Sequence, residues 1–88
     1  MNKIKINDIE LSNQAPLVLI AGPCAIESSE HALRMAHLLK DISVENNFQL
    51  IFKCSFDKAN RTSVKSARGV GLKKSIPIFE KIKLETKL

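Results

Sequence analysis

The feature that most constrains the fold is a pair of unbroken apolar segments on either side of a helical pattern. Residues 17–22, LVLIAG, are continuously apolar, and residues 49–54, QLIFKC, form a second such segment. Runs of this kind are typical of strands buried on both faces of a parallel sheet. From Ser28 to about Val44, apolar residues recur instead at helical spacing. The order strand, helix, strand predicts a parallel pair joined by a right-handed crossover.

Two further elements complete the predicted order. Residues 3–11, KIKINDIEL, alternate Lys and Ile around Asn7-Asp8, which predicts a short hairpin. A second helical pattern follows a long polar loop and ends the chain. Its apolar positions are Leu72, Ile76, Phe79 and Ile82.

The sequence also indicates where the first helix begins and which of its faces is apolar. Ser28 or Ser29 can cap it, with Glu30 favourably placed in the first turn. Its predicted apolar face consists of Ala32, Met35, Ala36, Leu39 and Ile42.

Length decides how complete this architecture can be. We expect one α/β domain over residues 1–88, with a hairpin at about 3–11, one βα unit at about 17–45 and another at about 49–86. Two parallel strands cannot cover both faces of a sheet, and a (β/α)₈ barrel needs roughly 250 residues. The pattern therefore predicts the opening part of a larger fold.

Composition narrows the location and the partners. The net charge of +5 suggests anionic partners without choosing among nucleotides, sugar phosphates and nucleic acid. No apolar signal-peptide region opens the chain, and APLVLIA is too short to cross a bilayer, so we expect a cytoplasmic protein without membrane contact. Cys24 and Cys54 have a spacing that fits neither a zinc knuckle nor a disulfide framework.

Chemistry-bearing residues follow both apolar strands. In parallel α/β folds, functional groups collect at the carboxyl ends of the strands, where GPCAIES and KCSFDKANRTS stand here. Alternation predicts that Lys53 and Ser55 share one side of the second strand, while Phe52 and Cys54 share the other. A lysine in so apolar a strand is explained if it meets an anionic ligand. The alternative is a strand-end lysine whose ammonium group reaches water.

The loop after Lys53 gathers groups that suit a phosphate. Its donors are Lys58, Asn60, Arg61, Thr62 and Ser63. Arg offers a planar fork and Lys a point charge, and the hydroxyls and amide can complete a phosphate shell. A basic loop that is only solvated is the other interpretation, and the loop alone does not decide between them.

Cys24, just past the first strand, has three interpretations. It could be a small buried hydrophobe, a soft metal ligand or a nucleophile. A nucleophile needs a nearby base, and His31 and His37, in the helical stretch, are poorly placed to serve; we expect them on the helix surface. We expect Cys54 to pack against the helices.

Both loops together resemble one enzyme family. LVLIAGPCAIES at 17–28 followed by IFKCSFDKANRTSVKSARGVGL at 51–72 is similar to the 3-deoxy-D-manno-octulosonate 8-phosphate synthases, also called 2-dehydro-3-deoxyphosphooctonate aldolases. The likeness covers essentially the whole chain and about the first third of the family. Related 3-deoxy-heptulosonate 7-phosphate synthases share AGPC but typically carry a Lys-Pro-Arg-Thr loop, so KANRTS favours the octulosonate branch.

The resemblance implies a TIM (β/α)₈ barrel, of which this chain holds the hairpin and the first two βα units. It implies a transferase, usually a homotetramer, that condenses phosphoenolpyruvate with arabinose 5-phosphate and water and releases phosphate. The product is a lipopolysaccharide precursor.

Site residues are also implied by the resemblance. Lys53 and Lys58 would act in catalysis and hold phosphoenolpyruvate, and Asn60, Arg61 and Thr62 would grip arabinose 5-phosphate. Cys24 matches the cysteine of the metal-dependent class, in which a His, a Glu and an Asp from later strands complete a Zn²⁺, Fe²⁺ or Mn²⁺ site.

The chain departs from the family pattern in several ways. It stops at KIKLETKL, before the later strands and the other metal ligands, so we expect no bound metal and no synthase activity from these 88 residues alone. The family more often has an aromatic residue at Ala67 and a proline at Val70. Pro77 falls inside the second helical pattern, where it should break the helix or begin a new one.

Three interpretations stay open at this point. In the first, the chain is a piece of an octulosonate-phosphate synthase, either with a complementary C-terminal fragment or as a non-enzymatic remnant. In the second, it is a piece of a heptulosonate-phosphate synthase. The third is a small basic binding module. Against nucleic acid as the partner, no aromatic residues are interleaved with the basic ones to stack on bases.

Overall fold

The computed structural model describes residues 3–57 and 70–88, and it confirms the predicted order of elements. The elements are β1 (Ile4–Ile6), β2 (Ile9–Leu11), β3 (Val18–Ala21), α1 (Ser29–Glu45), β4 (Gln49–Phe52) and α2 (Leu72–Thr86). In the described residues the strands form two separate two-stranded sheets, β1-β2 and β3-β4. The class is therefore mixed α/β, and the closed barrel stays a prediction.

The N-terminal hairpin forms where Lys and Ile alternate. β1 and β2 are antiparallel, with Ile6 opposite Ile9 and Lys5 opposite Glu10. Asn7, in the two-residue turn, has a φ of 51°, the left-handed region that asparagine tolerates better than most residues.

The second sheet is the predicted parallel pair. Val18 lies opposite Gln49 and Ala21 opposite Phe52, with α1 as the crossover between the strands. Pairing extends past the strand ends, because Lys53 N–H donates to the carbonyl oxygen of Ala21 at 2.9 Å.

Burial of this sheet differs from the sequence prediction. The segment 17–22, which contains β3, was expected to be buried on both faces, but Leu17, just before the strand, is 88% exposed and Ile20 58% exposed. Leu50 is buried and Phe52 packs against the helical core. In the described residues β3 pairs only with β4, and Leu19 (43% exposed) and Ile20 project to opposite faces, so neither face of β3 is fully covered.

Helix α1 begins at the predicted cap but buries a partly different face. The Ser28 hydroxyl accepts a hydrogen bond from the N–H of His31 at 3.1 Å. Ala32 and Ala36 are fully buried, as predicted. Ile42 is 38% exposed, however, and Ser43 is buried next to it, with its hydroxyl donating to the Lys40 carbonyl at 2.7 Å.

Helix α2 runs through Pro77 without ending, so the predicted break is wrong. The buried residues of α2 are Ser75, Ile78, Ile82 and Thr86, which lie on both sides of the proline along the helix. Pro77 itself is exposed. Burial of the residues before and after Pro77 offsets the backbone hydrogen bond that proline lacks. The cost of proline in an isolated helix does not include this stabilisation by packing.

The two helices pack through alanines of α1 and isoleucines of α2. Ile26, Ala32, Ala36, Ile78 and Ile82 form the buried core cluster. At its edge, His37 Nε2 lies 2.8 Å from Glu85 Oε1 and joins α1 to α2. Neither α1 nor α2, the helices of the described residues, is long and apolar enough to cross a membrane.

Candidate functional site

The carboxyl ends of β3 and β4 place two predicted site residues at one edge of the sheet. Cys24 follows β3 and Lys53 follows β4, and the strands are parallel. A bridge between Ala25 and Ser55 and a 2.8 Å hydrogen bond from Ile26 N–H to the Ser55 carbonyl hold the two segments together beyond the strands. The predicted common edge for Cys24 and Lys53 is confirmed.

Gly22 allows the backbones to approach closely at this edge. A Cβ at position 22 would overlap the carbonyl oxygen of Lys53. Sequence reasoning treated Gly22 only as the end of a strand. A glycine in a strand pattern is also one of the marks of a bulge, a tight bend or the close approach of another backbone.

Lys53 projects from the edge toward solvent. Its side chain is exposed, and Nζ lies 3.4 Å from the hydroxyl oxygen of Ser55. The predicted sharing of one side by Lys53 and Ser55 is therefore confirmed. An exposed ammonium group beside a hydroxyl is a donor pair that can receive an anion, and it equally fits a lysine that reaches water.

Cys54 lies on the other side of β4, as predicted. It is half-buried, packs against the core cluster and has Sγ 3.9 Å from the Ser55 carbonyl oxygen. Burial raises the pKa of the Cys54 thiol above its usual value, the charge of Lys53 lowers it, and the Cys24 thiol raises it. The thiol is therefore held in its neutral form.

Cys24 is exposed, so its interpretation as a buried hydrophobe is wrong. His37 is engaged with Glu85 between the helices, and His31 is half-buried on α1 with no described hydrogen-bond partner for its buried Nδ1. Within residues 3–57 and 70–88, no three His, Cys, Asp or Glu side chains gather in a way that could hold a metal ion. These residues therefore do not by themselves fit a divalent metal, which normally needs three or four protein ligands.

The remaining predicted site residues, Lys58, Asn60, Arg61 and Thr62, lie outside the described residues, as does Ser63. The chain on both sides of them is anchored at the site edge. Val70 N–H donates to the Ile26 carbonyl at 2.9 Å, and Gly71 N–H donates to the Phe56 carbonyl at 2.9 Å. These anchors had no signal in the sequence pattern, because backbone hydrogen bonds do not depend on side-chain type.

A cavity of about 640 Å³ lies elsewhere, between the hairpin turn, the C-terminal end of α1, β4 and the last two residues. Of the predicted site residues that the structure describes, neither Cys24 nor Lys53 lines it. We therefore locate the candidate site at the exposed edge formed by Cys24, Lys53 and Ser55, and not in this cavity.

Comparison with known proteins agrees with the motifs. The chain is 49% identical over 82 residues to the 2-dehydro-3-deoxyphosphooctonate aldolases of Brucella ovis, Brucella abortus and Brucella melitensis. The alignment covers 93% of this chain and 30% of each relative, so the chain spans about a third of the length of these proteins. The resemblance carried by residues 17–28 and 51–72 is confirmed.

A family-level match covers the full chain. The model of the DAHP synthetase I family matches residues 1–88. The match therefore includes both the hairpin and the two strand ends that form the site edge. The chain belongs to the DAHP synthetase I family.

Proposed function

We propose that this chain supplies the substrate-binding edge of an enzyme that condenses phosphoenolpyruvate with arabinose 5-phosphate. The observation that carries the proposal is the position of Lys53 beside Ser55 at the carboxyl edge of β3 and β4. Support comes from the relatives at 49% identity, which are named 2-dehydro-3-deoxyphosphooctonate aldolase.

The reaction brings two phosphorylated anions together. C3 of phosphoenolpyruvate bonds to the aldehyde carbon of the sugar, water adds at C2, and the bond from C2 to the phosphate oxygen breaks. Fixed cationic donors offset the repulsion between the substrates and stabilise the charge that develops. Lys53 would hold phosphoenolpyruvate through its ammonium group, with the Ser55 hydroxyl as an adjacent donor.

The loop after Phe56 would complete the site. Lys58 would lie near both substrates, and Asn60, Arg61 and Thr62 would bind the sugar phosphate. The anchors that Phe56 and Gly71 form at this edge support the assignment, because the intervening chain leaves and returns there.

Cys24 would contribute one ligand to a Zn²⁺, Fe²⁺ or Mn²⁺ ion in the whole enzyme. The described residues supply no complete ligand set, so we derive no step through a metal. We propose that the 88 residues alone are inactive, because they align with only 30% of the relatives' length, and that the whole enzyme is a cytoplasmic TIM-barrel homotetramer.

A chimera tests the proposal directly. The 82 aligned residues of the Brucella ovis relative are replaced with those of this chain, and phosphate release from phosphoenolpyruvate is measured with arabinose 5-phosphate. We expect activity with this sugar, and a loss of about 10²–10³-fold in the Lys53→Ala chimera, the range for removing one donor to developing charge.

The Lys5→Ala chimera is the matched control, because Lys5 is an exposed lysine of the hairpin, away from the site edge. Unchanged activity in Lys53→Ala would contradict the role of Lys53. A preference for erythrose 4-phosphate would instead favour the heptulosonate branch of the family.

A further inference from the structure

Cys24 and Cys54 are neighbours across the two strand ends, although they are distant in sequence. Each comes one residue before a member of the bridged pair Ala25 and Ser55. Neighbouring strands lie about 4.8 Å apart, and disulfides join residues whose Cα atoms are roughly 4.4–6.8 Å apart. Cys24 lies at the bend between the end of β3 and this bridge, and Cys54 directly precedes Ser55.

The two thiols differ in access, because Cys24 is exposed and Cys54 is half-buried against the core.

We propose that Cys24 and Cys54 form a thiol pair that small-molecule disulfides oxidise to an internal disulfide. This pair is not part of the proposed condensation chemistry, which assigns no role to Cys54. Access dictates the order of reaction, with the exposed thiol reacting first.

The chemistry proceeds by two exchanges. The Cys24 thiolate attacks one sulfur of the small disulfide, whose S–S bond breaks and releases one small thiol, which takes up the proton that Cys24 lost. The Cys54 sulfur then loses its proton and attacks the Cys24 sulfur, and the second small thiol leaves with that proton. Two protein thiols are oxidised, and one small disulfide is reduced to two thiols.

Oxidation would withdraw Cys24 from any other use at the site edge.

The test treats the 88-residue chain with oxidised glutathione in the presence of a metal chelator and follows the intact mass. For the unaltered chain we expect a product two hydrogens lighter than the reduced chain, and a cross-linked peptide that contains Cys24 and Cys54. At micromolar chain concentration this internal product should exceed inter-chain disulfides by at least about tenfold, because linked thiols react at a high effective concentration.

Two variants separate the steps. Cys54→Ser should stop at a stable glutathione adduct on Cys24, while Cys24→Ser should react more slowly, because its remaining thiol is half-buried. The proposal is overturned if the unaltered chain accumulates the same adduct as Cys54→Ser, or if its disulfides form only between chains. Neither readout depends on synthase activity, so the proposed function and this thiol pair can fail separately.

Discussion

At the residue scale, side-chain alternation was the most reliable guide to the site. It assigned Lys53 and Ser55 to one side of β4 and Cys54 to the other, and the structure bears out both assignments. Alternation is dependable here because successive residues of a strand project to opposite faces. It says nothing about how closely two backbones approach, which is why the role of Gly22 was missed.

Replacing Gly22 with alanine should destabilise the fold. The added Cβ would overlap the Lys53 carbonyl oxygen, a backbone atom that cannot move without separating β3 from β4. We expect the free energy of unfolding to fall by about 1–3 kcal/mol, the usual cost of overpacking. Urea unfolding followed by circular dichroism measures it.

Asn13→Ala is the control, since Asn13 is exposed in the loop between β2 and β3. Its effect should stay within about 0.5 kcal/mol. Equal urea midpoints for Gly22→Ala and Asn13→Ala would show that the close approach at Gly22 is unimportant.

At the element scale, helices were predictable in position but not in every detail of their faces. The serine signals located the start of α1, because capping is a local interaction. Burial of Ser43 in place of the apolar Ile42 was not predictable, because it depends on where β4 lies and on a hydroxyl that finds the Lys40 carbonyl.

The adjacent serines at the start of α1 provide a matched pair. Ser28→Ala removes the hydroxyl that accepts from His31 N–H and should lower the free energy of unfolding by about 1 kcal/mol. Ser29→Ala changes the first helical residue and leaves this cap in place. The difference in urea midpoint between the two variants measures the contribution of the cap to stability. A larger loss of stability in Ser29→Ala than in Ser28→Ala would contradict Ser28 as the capping residue.

Pro77→Ala should stabilise the chain. Alanine restores a backbone N–H inside α2 and removes a clash with the preceding turn, which should raise the free energy of unfolding by up to about 3 kcal/mol. This gain is reduced by about 0.4–1 kcal/mol, because alanine gives the unfolded chain more conformational freedom than proline does. Thermal unfolding measures the change. Lys73→Ala, at an exposed position of the same helix, is the control. A melting temperature for Pro77→Ala no higher than that of Lys73→Ala would mean that the helix has already accommodated the proline.

At the scale of the whole molecule, the sequence predicted the order of elements and the parallel pair correctly. It could not predict how much of β3 would be covered. A continuous apolar run shows that a strand suits a buried environment, while actual burial depends on which segments pack against it. Leu17 and Ile20 are the residues where this distinction matters.

Leu17, just before β3, and Ile20, within it, are exposed apolar residues that should make the 88-residue chain self-associate. Uncovered strands with apolar side chains are templates for pairing with other chains. Sedimentation velocity at micromolar concentration should reveal species larger than a monomer, and the double variant Leu17→Thr, Ile20→Thr should shift them toward the monomer.

Leu84→Gln is the matched control, because Leu84 is 73% exposed but lies on α2. It should leave the association unchanged if the strand is responsible. A chain that sediments as a monomer before any substitution would refute the prediction.

The crossover between β3 and β4 also governs how quickly this fold can assemble. Val18 and Gln49 are separated in sequence by α1 and the segments that flank it, so no local turn can start this pairing. Contacts between sequence-distant segments slow folding, since the entropy of closing the intervening chain is lost before the contacts form. We therefore expect the local hairpin to close early and the edge that carries Lys53 to form later.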